Sequence, residues 1–104
     1  MALRVRVCRA EDVVEGAVRG FSVPGVVWPV MVTRLDGEVV ATTSVCPHED
    51  VLLLGGELQD GVITCPGHGY ELDLRSGRCL HDARLELRRY RVTLVGDEVW
   101  IDLV

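Results

Sequence analysis

Residues 44–69 read SVCPHEDVLLLGGELQDGVITCPGHG, and the two ends of this stretch carry the same pair of side chains. Cys46-Pro47-His48 offers a thiol and an imidazole. Cys65-Pro66-Gly67-His68-Gly69 offers them again with one more residue between. The pattern is C-x-H, sixteen residues, then C-x-x-H. Each cluster follows a valine- or threonine-containing run of strand character, Glu38–Ser44 or Val62–Thr64, so each sits on a loop at a strand end. Between them Asp60-Gly61 is a two-residue hairpin signal that brings the loops side by side. The stretch therefore assembles two sulfur and two nitrogen donors at one point. The prolines fix φ after each cysteine and stiffen the loops. Gly69 permits a tight path for the backbone.

Such a donor set fits zinc or an iron–sulfur cluster. Zinc sites usually take like ligands from one loop. Here each loop supplies one of each kind. That division suits a binuclear centre in which two cysteines hold one iron and two histidines the other. Zinc would make the chain a structural interaction module, and both solutions remain open on the residues alone.

Working outward, the chain has 104 residues, enough for a single domain over 1–104 with one modest core. Its 48% hydrophobic and 26% charged residues argue for a globular domain and against disorder. All 11 basic residues are arginine, and the net charge is −5. Residues 1–43 carry five acids and five arginines, and residues 83–104 carry four of each. Residues 44–82 carry seven acids against Arg75 and Arg78, so the whole imbalance falls on the segment with the donors. Nucleic-acid binding needs a basic face and is excluded as a function class. The most apolar stretch, Val23–Val32, is short and holds Pro24 and Pro29, against about 20 apolar residues for a membrane span. The N-terminal MALRVRVCRAED lacks a run of signal-peptide length. The expected compartment is the reducing cytoplasm, where cysteines serve metals rather than disulfides.

Strand signals dominate. Leu3, Val5 and Val7 alternate with arginines, and Cys8–Gly16 has room for one helical turn. Ala17–Val23, Trp28–Leu35 and Glu38–Ser44 read as strands, the last two joined by Asp36-Gly37. Pro24-Gly25, Ser76-Gly77 and Gly96-Asp97 are turns. Leu85 and Leu87 have one parity and Tyr90, Val92 and Leu94 the other, so the chain changes face at Arg88-Arg89. About nine short strands and no long helical period predict an all-β sandwich or small barrel.

The CPH and CPGHG motifs at this spacing resemble those of the Rieske proteins. Val62-Ile63-Thr64, Glu71-Leu72-Asp73, Ser76-Gly77 and the closing Leu87, Tyr90 and Val92 extend the resemblance over nearly the whole chain. The stretch from CPHEDVLLLGG to GVITC is especially similar to the ferredoxins of multicomponent aromatic monooxygenases, within the wider set of ferredoxin components of bacterial multicomponent aromatic oxygenases. The resemblance implies the Rieske fold: an antiparallel sandwich or incomplete-barrel base with a small cluster-binding subdomain inserted, here about residues 44–82. It implies a [2Fe–2S] cluster with Cys46 and Cys65 on the inner iron and His48 and His68 on the outer. Pro47, Pro66, Gly67, Gly69 and Tyr70 would form the surrounding shell, and Glu49, Asp50 and Leu52 a docking rim.

The respiratory branch of that family carries two further cysteines that bridge the loops. Val51 and Gly67 stand there in this chain, so that disulfide is impossible. The same branch aims a serine and a tyrosine hydroxyl at the cluster sulfurs. The matching positions hold Tyr70, which is too large, and Leu72, which has no hydroxyl. Hydrogen bonds to sulfur raise the potential. Their loss, together with seven nearby acids, places the expected potential at the low end of the Rieske range, about −150 mV.

The remaining residues have simpler readings. Cys8 and Cys79 are expected as packed free thiols, and His81 as a surface or outer-shell residue. Trp28 and Trp100 are expected to pack. Leu52-Leu53-Leu54 should form a small core under the loops, and Arg84, Arg88, Arg89 and Arg91 an outward face. Functionally, the resemblance implies a one-electron carrier between a flavin-containing reductase and a terminal oxygenase, with no catalytic acid, base or nucleophile. A monomer suits a carrier that presents one face to two partners in turn. The alternative is the small Rieske subunit of a nitrite reductase. An oxygenase subunit is disfavoured because no mononuclear iron site follows by Val104.

Overall fold

The computed structural model describes residues 3–103. Asp36-Gly37 and Asp60-Gly61 do what their composition dictates. All four residues have positive φ (53°, 80°, 52° and 79°), the backbone of a type I′ turn whose twist matches the strands on either side. The first joins β3 (Val30–Leu35) to β4 (Glu38–Thr43), and the second joins β5 (Leu58–Gln59) to β6 (Val62–Thr64).

Among the described residues, nine strands form two antiparallel sheets. The larger takes β1 (Arg4–Arg9), β2 (Arg19–Phe21), β3, β4, β8 (Arg89–Val95) and β9 (Glu98–Asp102) in the order β1-β9-β8-β4-β3-β2. The smaller is β5-β6-β7, with β7 at Glu71–Asp73. β4 and β8 meet only at Ala41–Tyr90 and Thr42–Arg89, and beyond that the large sheet curls into a half-barrel. These neighbours are separated in the chain by residues 44–88, which contain the small sheet. The segment therefore leaves and re-enters the large sheet at one end.

β3 and β4 are buried on both faces, which explains their unbroken runs of Val, Met, Ala and Thr. Val30, Val32, Val39 and Ala41 face the half-barrel core with Val7, Val99 and Ile101. Met31, Leu35 and Val40 face a second core with Leu53, Ile63, Leu72, Leu74 and Leu87, and that core also contains Cys46, Cys65 and Cys79. Arg75 pins the two sheets together, with Nη2 2.8 Å from Asp36 Oδ2 and Nη1 donating to the Asp60 carbonyl at 3.0 Å. It thus spans the two type I′ turns.

Several sequence expectations change. The strand expected at Ala17–Val23 shortens to Arg19–Phe21, and that at Trp28–Leu35 begins at Val30, because proline at 29 has no N–H for the ladder. Trp28 is 41% exposed and does not pack in the core. The one helical turn is a short 3-10 segment, Ala10–Asp12, whose Asp12 carboxylate accepts the Arg9 N–H at 3.0 Å. The parity change holds: Arg88 and Arg89 are both exposed between buried Leu87 and Tyr90. A further irregularity lies in β1, where the register slips between Arg6 and Cys8 and both Val7 and Cys8 face inward.

Candidate metal centre

Two loops project from the inserted segment, and they close in the same way. In the first, the Cys46 N–H donates to the Val51 carbonyl at 3.0 Å. In the second, the Cys65 N–H donates to the Tyr70 carbonyl at 2.7 Å. Each cysteine therefore bonds the fifth residue after it. Inside the first loop the Glu49 N–H reaches the Cys46 carbonyl, three residues back. Inside the second, the Gly69 N–H reaches the Cys65 carbonyl, four back, with Gly69 at φ 76°. The extra residue of C-x-x-H is absorbed by that wider turn, and Gly69 supplies the left-handed backbone it requires. The base of the first loop is held by Ser44, fully buried, whose hydroxyl donates to the Pro29 carbonyl at 2.6 Å.

The four donors sort by depth. Cys46 and Cys65 are 2% and 1% exposed and lie together in the second core. Burial pushes the Cys46 thiol above its ordinary range, and the adjacent Cys65 adds to this against the lowering effect of the His48 and Glu49 backbone N–H groups. His48 and His68 lie outside them, ring centroids 5.2 Å apart and planes at 88°. The histidine side chains are 31% and 60% exposed. This arrangement fits a group that wants two thiolates on its inner side and two imidazoles on its outer side.

Three neighbours were not foreseen in their positions. The Glu49 side chain turns toward the imidazoles. His68 Nδ1–H donates to Glu49 Oε1 at 2.5 Å, and His48 Nδ1 lies 4.0 Å from the same oxygen. The ligand atoms of these three residues fall within 4.8 Å of one another. Glu49 is only 25% exposed, while Asp50 and Leu52 are exposed, Leu52 against the expectation that it joins a small core. Tyr70 stacks on His48, centroids 4.0 Å apart and planes 23° from parallel. His81 follows Tyr70 at 5.6 Å, its Nε2 3.1 Å from Glu71 Oε1. Tyr70 and His48 are too far apart in the chain for any local pattern to announce the stack.

Of the other expectations, the leucine run divides: Leu53 is fully buried, Leu54 is half-buried against Gly20, and Leu52 is exposed. Pro47 is half-buried, and Pro66, Gly67 and Gly69 are exposed. At Gly67 an added Cβ would meet the mobile end of Glu49, with Oε1 at 2.1 Å. Leu72 is fully buried in the second core. Cys8 and Cys79 are buried free thiols in separate cores. Arg84, Arg88, Arg89 and Arg91 are exposed, Arg88 lying over the Tyr90 ring.

Known proteins share this chain's pattern. It is 34% identical over 104 residues to the ferredoxin component of biphenyl 2,3-dioxygenase from Rhodococcus jostii RHA1, covering 99% of this chain and 94% of that protein. Its fold superposes on the Sphingomonas yanoikuyae B1 ferredoxin with a TM-score of 0.87 at 26% identity, covering 98% of this chain and 100% of the other. It superposes with a TM-score of 0.83 at 28% identity on a chain from a complex of reduced oxygenase and oxidised ferredoxin in carbazole 1,9a-dioxygenase, covering 95% and 92%. Residues 4–91 match the model of the Rieske [2Fe-2S] domain. With the loops, the donor depths and the half-barrel all in accord, the chain belongs to the Rieske [2Fe–2S] family, and its cofactor is a [2Fe–2S] cluster of the Rieske type.

Proposed function

We propose that the protein is a one-electron carrier that takes electrons from a flavin-containing reductase and delivers them to a terminal oxygenase acting on an aromatic substrate. The observation that carries this reading is the placement of the donors. Two thiols are sealed in the core, and two imidazoles stand above them at the surface. Cys46 and Cys65 would hold the inner iron of the cluster, His48 and His68 the outer. The bound cluster supplies one reversible electron. The chain's residues do the rest. The buried cysteines exclude water from the inner side, the prolines and closed loops hold the donors in place, and the imidazoles bring the outer side within reach of a partner. Glu49 Oε1 lies against His68 Nδ1, so the carboxylate would have to turn aside if that nitrogen is to hold the outer iron. The relatives named as ferredoxin components, and the ferredoxin–oxygenase complex, support this assignment of partners.

On this reading residues 44–82 are the cluster-binding part of a single domain, and the carrier acts as a monomer in the cytoplasm. Among the described residues no helix is long and apolar enough to cross a membrane. The decisive experiment is EPR before and after dithionite reduction, with iron and zinc counted on the same sample. A silent oxidised sample, an S = 1/2 signal of low average g on reduction, and two irons per chain are expected. Stoichiometric zinc with no signal in either state would overturn the reading.

A further inference from the structure

Glu49 is aimed at the imidazoles by its own loop. Its N–H donates to the Cys46 carbonyl at 3.2 Å, and its carbonyl accepts the Val51 N–H at 2.8 Å, so its backbone is held from both sides. Across the gap, Gly67 has no side chain, and the carboxylate lies where a Cβ at that position would come within 2.1 Å of Oε1. The same oxygen then faces both rings, 2.5 Å from His68 Nδ1 and 4.0 Å from His48 Nδ1.

Nitrogen and oxygen donors bind a first-row divalent ion at about 2.0–2.2 Å, which places neighbouring donors roughly 3–3.5 Å apart. The two observed separations bracket that value, so small side-chain rotations bring all three atoms around one point. Among the described residues, His48, Glu49 and His68 are the one group of three or more possible ligand residues whose atoms all lie within 4.8 Å of one another, and neither cysteine belongs to it. The two thiols are sealed in the core. The His–Glu–His group opens to water along the exposed residues Pro66–Gly69. The donors therefore divide into a sulfur pair below and a nitrogen–oxygen set above. Two imidazoles and one carboxylate with open positions are the ligand set of mononuclear non-haem iron(II).

We propose that, before the cluster is in place, His48, Glu49 and His68 bind a single divalent cation of borderline character, iron(II) foremost. The ion takes the place of the hydrogen that His68 Nδ1 shares with Glu49, and the exposed ring carries that hydrogen on Nε2 instead. Water fills the remaining positions. The ion and the cluster exclude each other, because both need the same two imidazoles. Glu49 belongs to the ion's site alone. A chain that has taken up such an ion must release it before it can receive the cluster. The inference concerns the chain ahead of loading and holds whatever partners the loaded protein serves.

The test uses the full chain and cobalt(II), whose spectrum reports its donors. Iron is stripped by reduction in the presence of a chelator, the chelator is removed, and cobalt(II) is titrated in without oxygen. One cobalt per chain should bind, with weak visible bands and no thiolate-to-cobalt charge transfer in the near ultraviolet. Glu49→Gln should weaken binding about tenfold or more, since even outer-sphere changes at metal sites cost that much. Its cluster-loaded form should keep the reduced-state EPR signal. His81→Asn removes the other imidazole paired with a carboxylate, at 3.1 Å from Glu71, and should leave cobalt affinity unchanged. The cluster-loaded parent should take up no cobalt at this site.

An intense charge-transfer band in the parent would put the ion on Cys46 and Cys65 and overturn the proposal, whether or not any variant folds. So would an affinity indifferent to Glu49→Gln, or one lost with His81→Asn. A stripped chain without the far-ultraviolet circular dichroism of the loaded one would overturn it too, since the site needs both loops in place. Loss of the EPR signal from loaded Glu49→Gln would show that Glu49 serves the cluster rather than the ion alone. A parent chain with no reduced-state signal counts instead against the carrier reading and leaves the cobalt result to be judged by itself.

Discussion

Cysteine plays two parts in the second core, and single substitutions separate them. Cys65 and Cys79 are 1% and 5% exposed and pack among the same leucines. As buried side chains they are alike: small, polarizable and apolar. Only Cys65 stands at a loop that also carries an imidazole. Cys79→Ala should therefore cost about 1 kcal/mol, a small cavity's worth, and keep both irons. Cys65→Ala should lose the reduced-state EPR signal and most of the iron. Thermal melts and iron counts on the two variants check this, and loss of iron from Cys79→Ala would show that the fourth cysteine takes part in the site. The candidate donors were legible at this scale because their identity and spacing are written in the chain. Tyr70 on His48 and Glu49 beside His68 were not, because they depend on where two loops meet.

Turns and cross-strand pairs set the stability of the elements. Gly37 and Gly61 occupy the same position in two type I′ turns, at φ 80° and 79°. Alanine at Gly37 would meet open space and should cost only the left-handed strain, about 1–2 kcal/mol. Alanine at Gly61 would also bring its Cβ to 2.1 Å from Arg75 Nη1. Gly61→Ala should displace the guanidinium that joins the two sheets and lower the melting temperature further than Gly37→Ala. Equal melts would show that the Arg75 link contributes nothing.

The pairing of β1 with β9 carries a pH-dependent element. The Arg6 guanidinium, 2.7 Å from Glu98 Oε2, and the Trp100 indole N–H hold the Glu98 carboxyl below the usual glutamate range. A depressed folded-state value means stability present above the ordinary glutamate range and lost as pH falls through the depressed value. Glu98→Gln should therefore melt below the parent at neutral pH, and the gap should close as the pH falls through the depressed range and the carboxylate protonates. The pair is exposed, so the gap should also shrink with salt. A gap that persists in acid would place the effect in packing rather than charge.

Over the whole molecule, charge is segregated onto the inserted segment. Residues 44–82 hold seven acids and two arginines, while the two flanking segments are each neutral. Association with a basic partner should be steered by this field and fall as ionic strength rises. Reversing the exposed Asp50 and Glu57 together should flatten the salt dependence of electron transfer to cytochrome c and leave the cluster's EPR spectrum unchanged. A slope equal to the parent's would mean that steering comes from elsewhere. The two-sheet architecture explains how segregation is compatible with folding. The inserted segment leaves and returns between β4 and β8, so its acids are added to the molecule without interrupting the large sheet.

Local chemistry settled what the sequence could determine by itself. Asp-Gly turns, alternating or continuous apolar runs and the parity change at Arg88-Arg89 depend on residues a few positions apart. Most of the strands follow from them, and two short motifs pick out the four candidate donors. The tertiary structure decided what depends on distant segments. It set the order of strands in the large sheet and buried β3 and β4 on both faces. It left Trp28 at the surface, turned Glu49 inward and laid Tyr70 on His48. Exposure and stacking are properties of the space between chain segments. No local spacing encodes them, and they are what make the two histidines different.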